Sequence, residues 1–247
     1  MRTMEIRVLR YFLMVAREEN ITKAAELLHI TQPTLSRQLM QLEEELSGSI
    51  VIGSGEANSV QELAEIIGRF QKKYPQVQYD LYTANADDIK ERLDKGLLDI
   101  GLLTEPVDIG KYNFLRLKGK EKWGILVRRD SGLAQKSAVR PQDLMDVPVF
   151  LAQRPLVRNE LEGWFGEYYD QIHVAGTYNL INNVAVMVEN NIGVAFCFQL
   201  QNHFDNLKYI PLSPQVETGA VIVWKKAQTM NRTMRQFINF IREYQET

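Results

Sequence analysis

The sequence predicts an α/β protein in two parts: an all-α helix-turn-helix head over residues 1–46, and an α/β body from 49 to 247. Three observations carry this. Two helical patterns meet at a tight break within residues 20–46, and strand-like and helix-like runs alternate from Ser49 onward. The chain has 247 residues, 45% hydrophobic and 24% charged, which is ordinary for a folded protein of two or three compact units.

In the head, Ile6, Leu9, Phe12, Leu13 and Ala16 give the first helix an apolar face. Asn20 or Thr22 caps a short helix carrying Ala24, Ala25, Leu27 and Leu28, which breaks at His29 and Ile30. Thr31 is a second cap, and Pro33 falls in the first turn of the next helix, where its missing N–H costs little. Leu35, Leu39, Leu42 and Leu46 recur along that helix as one buried stripe. Thr31, Gln32, Pro33, Thr34, Ser36, Arg37 and Gln38 are left at its start and on its surface, where polar side chains are able to read base edges or hold phosphates.

Ala24-Ala25, Leu28, Thr31-Gln32-Pro33, Leu35-Ser36-Arg37-Gln38 and Leu42-Glu43-Glu44-Glu45-Leu46 resemble, in order and spacing, the N-terminal signature of the LysR-type transcriptional regulators. The resemblance implies double-stranded promoter DNA as partner, a small-molecule effector that can be anionic, self-association as dimer or tetramer, and contact with RNA polymerase. It implies no cofactor and no metal. The chain departs from the family pattern after Leu46, where a wing and a long linker helix are expected. Instead Ser47 and Gly48 lead straight into Ser49-Ile50-Val51-Ile52-Gly53. Two residues span only about 7 Å, so either a deletion has joined the parts or intervening residues are missing from the numbering.

The net charge of −2 gives no overall basic field, so DNA binding must come from a local surface. Residues 1–41 hold six basic against four acidic residues, a modest excess. Glu5, Arg7 and Arg10 interrupt the first apolar residues, which excludes a signal peptide, and no later run would span a bilayer; the cytoplasm is the expected compartment. The single cysteine, Cys197, lies in Val194-Ala195-Phe196-Cys197-Phe198 and reads as an inert core thiol rather than a redox sensor.

Along the body, Ser49–Gly53 reads as a strand and Ser59–Tyr74 as a helix with Val60, Leu63, Ile66, Ile67 and Phe70 inward. Val77, Tyr79 and Leu81 point inward from a second strand, followed by a helix over Ile89–Lys95 and a strand over Leu98–Leu103. This order implies a parallel sheet. Further on, strands are predicted over Trp123–Val127, Val147–Leu151, Ile172–Ala175, Gly193–Phe198, Leu207–Leu212 and Gly219–Trp224. Helices are predicted over Leu156–Tyr169, Leu180–Glu189 and Met234–Tyr244. The body resembles the two-lobed, periplasmic-binding-protein-like effector domain of the LysR family. Its lobes would be 49–117 with 215–247, and 118–214, with two chain crossings forming a hinge.

In such folds ligands sit where strand ends and helix starts face the cleft. Here those places hold Ser54, Gly55, Asn58, Ser59, Thr104 and Glu105 on one side, and Gln153, Arg154, Thr177 and Asn179 on the other. Arg154 suits a carboxylate. Ser59 and Thr177 read equally as helix caps, and Arg154, before Pro155, as a solvated loop charge.

Two other classes compete. A nucleotide-dependent enzyme is suggested by Gly53-Ser54-Gly55 after a strand with Asp80 on the next, but Asn58 stands at the third glycine position. A solute-binding protein would leave the head without a role. His29, His173 and His203 lack metal-ligand spacing, no Gly-x-Ser-x-Gly elbow occurs, and Glu43-Glu44-Glu45 reads as a solvated helix face, so no catalytic residue is assigned.

Overall fold

The asparagine before the second helix and the histidine after it fix the geometry of the head. In the computed structural model, which describes residues 6–46, 48–200, 204–226 and 230–246, the head comprises α1 (Ile6–Glu18), α2 (Ile21–Leu27) and α3 (Gln32–Leu46). The Asn20 side-chain oxygen accepts from Thr22 N at 3.0 Å and Lys23 N at 3.1 Å, capping α2. At the other end His29 takes φ 54°, and its N–H and that of Ile30 donate back to Glu26 and Ala25, both at 3.1 Å. This paired closure turns the chain sharply into α3. Leu35 is fully buried against Ala24 and Ala25, with Ile30 and Leu39 packed around them. From α1 it is Tyr11, Met14 and Val15 that close this core, while Phe12 and Leu13 are exposed, so the packed face lies about one residue round from the predicted one. The side chains of Ile6, Leu42 and Leu46 lie outside the described residues, as does His203.

The body continues with β1 (Ser49–Ser54), α4 (Ser59–Lys73), β2 (Gln78–Thr83), α5 (Ala86–Asp94), β3 (Ile100–Thr104) and β4 (Tyr112–Arg128). It then runs through β5 (Val149–Ala152), α6 (Pro155–Phe165), β6 (Val174–Tyr178), α7 (Ile181–Glu189), β7 (Val194–Phe198), β8 (Leu207–Pro211), β9 (Glu217–Lys225) and α8 (Arg232–Glu246). The strands form two halves joined by β4. In the first half the order is β2-β1-β3-β9-β4, and in the second β4 lies between β8 and β7, followed by β5 and β6. The sheet is mixed rather than parallel: β1 pairs in parallel with β2 and β3, but β9 runs antiparallel between β3 and β4.

Helices cover both faces of each half. Alternation along β9 puts Ala220, Ile222 and Trp224 into the core under α4 and α8, and Val221 and Val223 into the core under α5. In the second half Trp123, Ile125 and Val127 face α6, whereas Leu126, Ala195 and Cys197 face α7. Burial on both faces explains the unbroken apolar runs of β7 and β9.

Several boundaries differ from the predicted ones. β4 begins at Tyr112, eleven residues before the strand expected at Trp123, because β9 supplies a partner as far as Lys122. Leu81 is exposed, since β2 is an edge strand. α5 starts at Ala86, capped by Asn85, and α6 stops at Phe165, where Gly166 takes φ 55° before a 3₁₀ turn. β6 starts at Val174, two residues later than expected. The apolar face of α4 is covered within the chain: Phe70 is fully buried and meets Phe237 at 5.0 Å and Phe240 at 5.4 Å, both from α8.

Candidate functional site

On the head, the Thr31 hydroxyl lies 2.8 Å from that of Thr34 and accepts from the Thr34 N–H at 3.4 Å, which fixes the start of α3. Thr31, Gln32, Pro33, Thr34 and Arg37 are exposed, and Ser36 and Gln38 are half-buried. Since Leu35 anchors the opposite side, this first turn and a half presents polar side chains outward as one surface.

In the body a cavity opens between the two halves. It is lined from the first half by Gly55, Glu56, Ala57, Asn85, Ala86 and Thr104, and from the second by Trp123, Arg154, Tyr178, Asn179, Ile181 and Phe198. Of the residues predicted from the sequence, Gly55, Thr104, Arg154 and Asn179 meet here. Ser54 and Asn58 line an adjoining cavity that shares Gly55, Glu56 and Ala57 with the first. Ser59, Glu105, Gln153 and Thr177 line neither. Ser59 is buried at the start of α4, Glu105 accepts from Arg116, and Gln153 and Thr177 face solvent.

Arg154 is no solvated loop charge. It is 8% exposed and crosses to the first half, donating to Thr104 O at 3.4 Å and Pro106 O at 2.9 Å, with Asp87 3.6 Å from its Nε. Burial pushes its guanidinium below the ordinary value while Asp87 pushes back. Asn58 likewise bridges the halves, its amide donating to Gln199 O.

The sequence reading passed over two carboxylates. Glu121, 1% exposed on β4 where the chain passes between halves, accepts from Asn58 N at 3.0 Å and Ser59 N at 2.6 Å and so caps α4. Glu56 crosses from the first half to the start of α7, accepting from Ile181 N and, at 2.8 Å, from the Asn182 amide. Burial raises the Glu56 carboxyl above its usual range, and the Ile181 N–H partly offsets this. The only available signal was position: both lie within a few residues of a predicted helix start or crossing. Cys197 also lines the cavity, but its thiol is buried and pushed up to about 12 by burial, which keeps it protonated. Among the described residues no cluster suits a metal ion, and no helix is long and apolar enough to cross a membrane.

A helix-turn-helix with a polar outer surface, attached to a body with a cleft between two halves, is the layout of a DNA-binding regulator that carries a small-molecule domain. Residues 6–57 match the profile of the bacterial regulatory helix-turn-helix protein, lysR family, and residues 43–246 match the LysR substrate binding domain. The chain belongs to the LysR family of transcriptional regulators. It is similar to the Hca operon transcriptional activator HcaR of Escherichia coli (strain K12), 24% identical over 292 positions covering 97% of this chain and 98% of that one. Its fold is that of full-length CbnR in complex with its target DNA, with TM-score 0.63 and 16% identity over 97% of this chain and 99% of that one. The effector binding domain of QuiR in complex with shikimate matches with TM-score 0.70 and 16% identity over 81% and 97%. The HcaR alignment is longer than the 247 residues of this chain, so HcaR carries residues with no counterpart here. The two matches overlap over residues 43–57.

Proposed function

We propose that this regulator reads promoter DNA with the start of α3 and senses a small-molecule effector in the cleft between the halves of the body. Thr31, Gln32, Pro33, Thr34, Ser36, Arg37 and Gln38 form the DNA surface. Gly55, Thr104, Arg154 and Asn179 border the effector, with Ser54 and Asn58 beside it. The observation that carries this reading is the outward polar turn of α3 held by buried Leu35.

Because the cavity takes groups from both halves, an effector touching both would favour one relative arrangement over another. Through α3, which contacts α8, that difference reaches the head. Two copies would associate through α7, whose Val186 and Met187 are 52% and 43% exposed. Action on DNA places the protein in the cytoplasm, and no step of this reading needs a catalytic residue.

The test is selection of duplexes from a random library by the full chain, followed by fluorescence anisotropy with the enriched duplex. Arg37→Ala should weaken binding to every sequence if the guanidinium holds phosphate. It should instead relax one base position by about 1–3 kcal/mol if it reads guanine. Unchanged binding by folded Arg37→Ala would remove Arg37 from the surface.

A further inference from the structure

The start of α7 is a place for a carboxylate, and the chain fills it with one of its own. Glu56 stands in the loop between β1 and α4, far in sequence from α7, yet its two oxygens are held by the Ile181 N–H and by the Asn182 amide. An unpaired backbone N–H at a helix start favours an anion, and the side-chain amide completes a two-point cradle. A second observation points the same way. The indole N–H of Trp123, a residue 3% exposed that lines the same cavity, has no hydrogen-bond partner among the described residues. Arg154 brings a charged donor to the same cavity, its Nε 3.6 Å from the Asp87 carboxylate. Both groups are donors, so the cavity suits acceptor atoms.

We propose that Glu56 is the cleft's internal stand-in for an effector carboxylate: it ties the first half to α7, and a carboxylate-bearing effector acts by taking its place. This rests on the reading of the cleft as the effector site and adds both the ligand's chemical class and the contact it breaks. A ligand whose carboxylate occupies the Ile181–Asn182 cradle, with further acceptors toward Trp123 and Arg154, frees Glu56 and removes one of the bridges between the halves. The other bridges, from Arg154 and Asn58, would remain to guide the new arrangement.

The test is chemical rescue. Glu56→Ala in the full chain empties the cradle, and sodium acetate is titrated at constant ionic strength against a chloride control, reading melting temperature and hydrogen exchange at the Ile181 and Asn182 amides. Acetate should bind the variant saturably, with half-saturation on the order of 10 mM for so small a ligand. At ten times that concentration it should shift the folding equilibrium about tenfold and restore slow exchange at Ile181. The wild type, its cradle filled, should show neither response over the same range. Should Glu56→Ala not fold, Glu56→Asp, which withdraws the carboxylate by one methylene, serves with the same readouts. No saturable response in the folded variant overturns the proposal, as does an equal response in the wild type, which would place acetate elsewhere. Because no DNA is involved, failure here would leave the DNA-binding reading standing, and failure there would leave the cradle intact.

Discussion

Replacing Glu121 by alanine should cost the protein about 2–4 kcal/mol, a large effect for one side chain on a strand. The carboxylate is 1% exposed and accepts the Asn58 and Ser59 N–H groups at 3.0 and 2.6 Å, the first free donors of α4. Alanine leaves both donors near or in the interior with no acceptor, and an orphaned buried donor costs about 1–3 kcal/mol. Glutamine keeps one acceptor but turns an N–H₂ toward the other donor, so Glu121→Gln should recover less than half of the loss. Urea unfolding followed by far-UV circular dichroism measures both variants, with the change read from the midpoint at unchanged slope. For a chain of this size the alanine variant should melt about 5–12 °C lower. A loss below about 1 kcal/mol for Glu121→Ala would refute the claim that this carboxylate caps α4.

Asn20→Ala should cost about 1 kcal/mol, because the Asn20 oxygen holds both the Thr22 and Lys23 N–H groups; an unchanged melting temperature of the head would deny the cap. Gly124→Ala should prevent folding or lower expression sharply, since an added Cβ would stand 2.4 Å from the Ile210 carbonyl and 2.3 Å from the Tyr209 ring; a well-folded variant would contradict the packing of β4 on β8. Burial raises the Glu56 carboxyl, so its contribution to stability is fully present below the ordinary carboxylate value and is lost as pH rises through the raised one. Glu56→Gln should therefore gain stability relative to the wild type between about pH 4 and pH 7, and a constant difference across that range counts against the shift. With α3 ending at Leu46 and β1 starting at Ser49, the head alone should bind duplexes only in the roughly micromolar range at physiological salt and more tightly as salt is lowered. Nanomolar, salt-insensitive affinity measured by anisotropy would contradict this.

What could be read from the sequence was local. Asn20, Thr31 and Pro33 announce helix starts because their side chains or rings act within three residues, and the alternation of Val221 to Trp224 needs no partner to be recognised. The first half of β4 escaped notice because Lys118, Lys120 and Lys122 face water and look like loop; only pairing with β9, about a hundred residues away, makes the segment a strand. The face of α1 was misplaced because Phe12 and Leu13 are as apolar as Met14 and Val15, so hydrophobicity alone does not choose between adjacent stripes. In the cleft, the helix starts were visible but their occupants were not. Glu56 meets Ile181, and Arg154 meets Thr104, across separations that no local pattern encodes. A charge that looks solvated beside its neighbours in sequence can thus be buried by a distant half of the fold.

The central claim, that α3 carries DNA recognition, is tested most directly by hydrogen exchange of the full chain with and without a selected duplex at low salt. Exchange should slow in the α2–α3 turn and the first turns of α3, over residues 29–38, with little change at the cavity lined by Glu56 and Arg154. Slowing confined to the body, with residues 29–38 unaffected by a bound duplex, would contradict it.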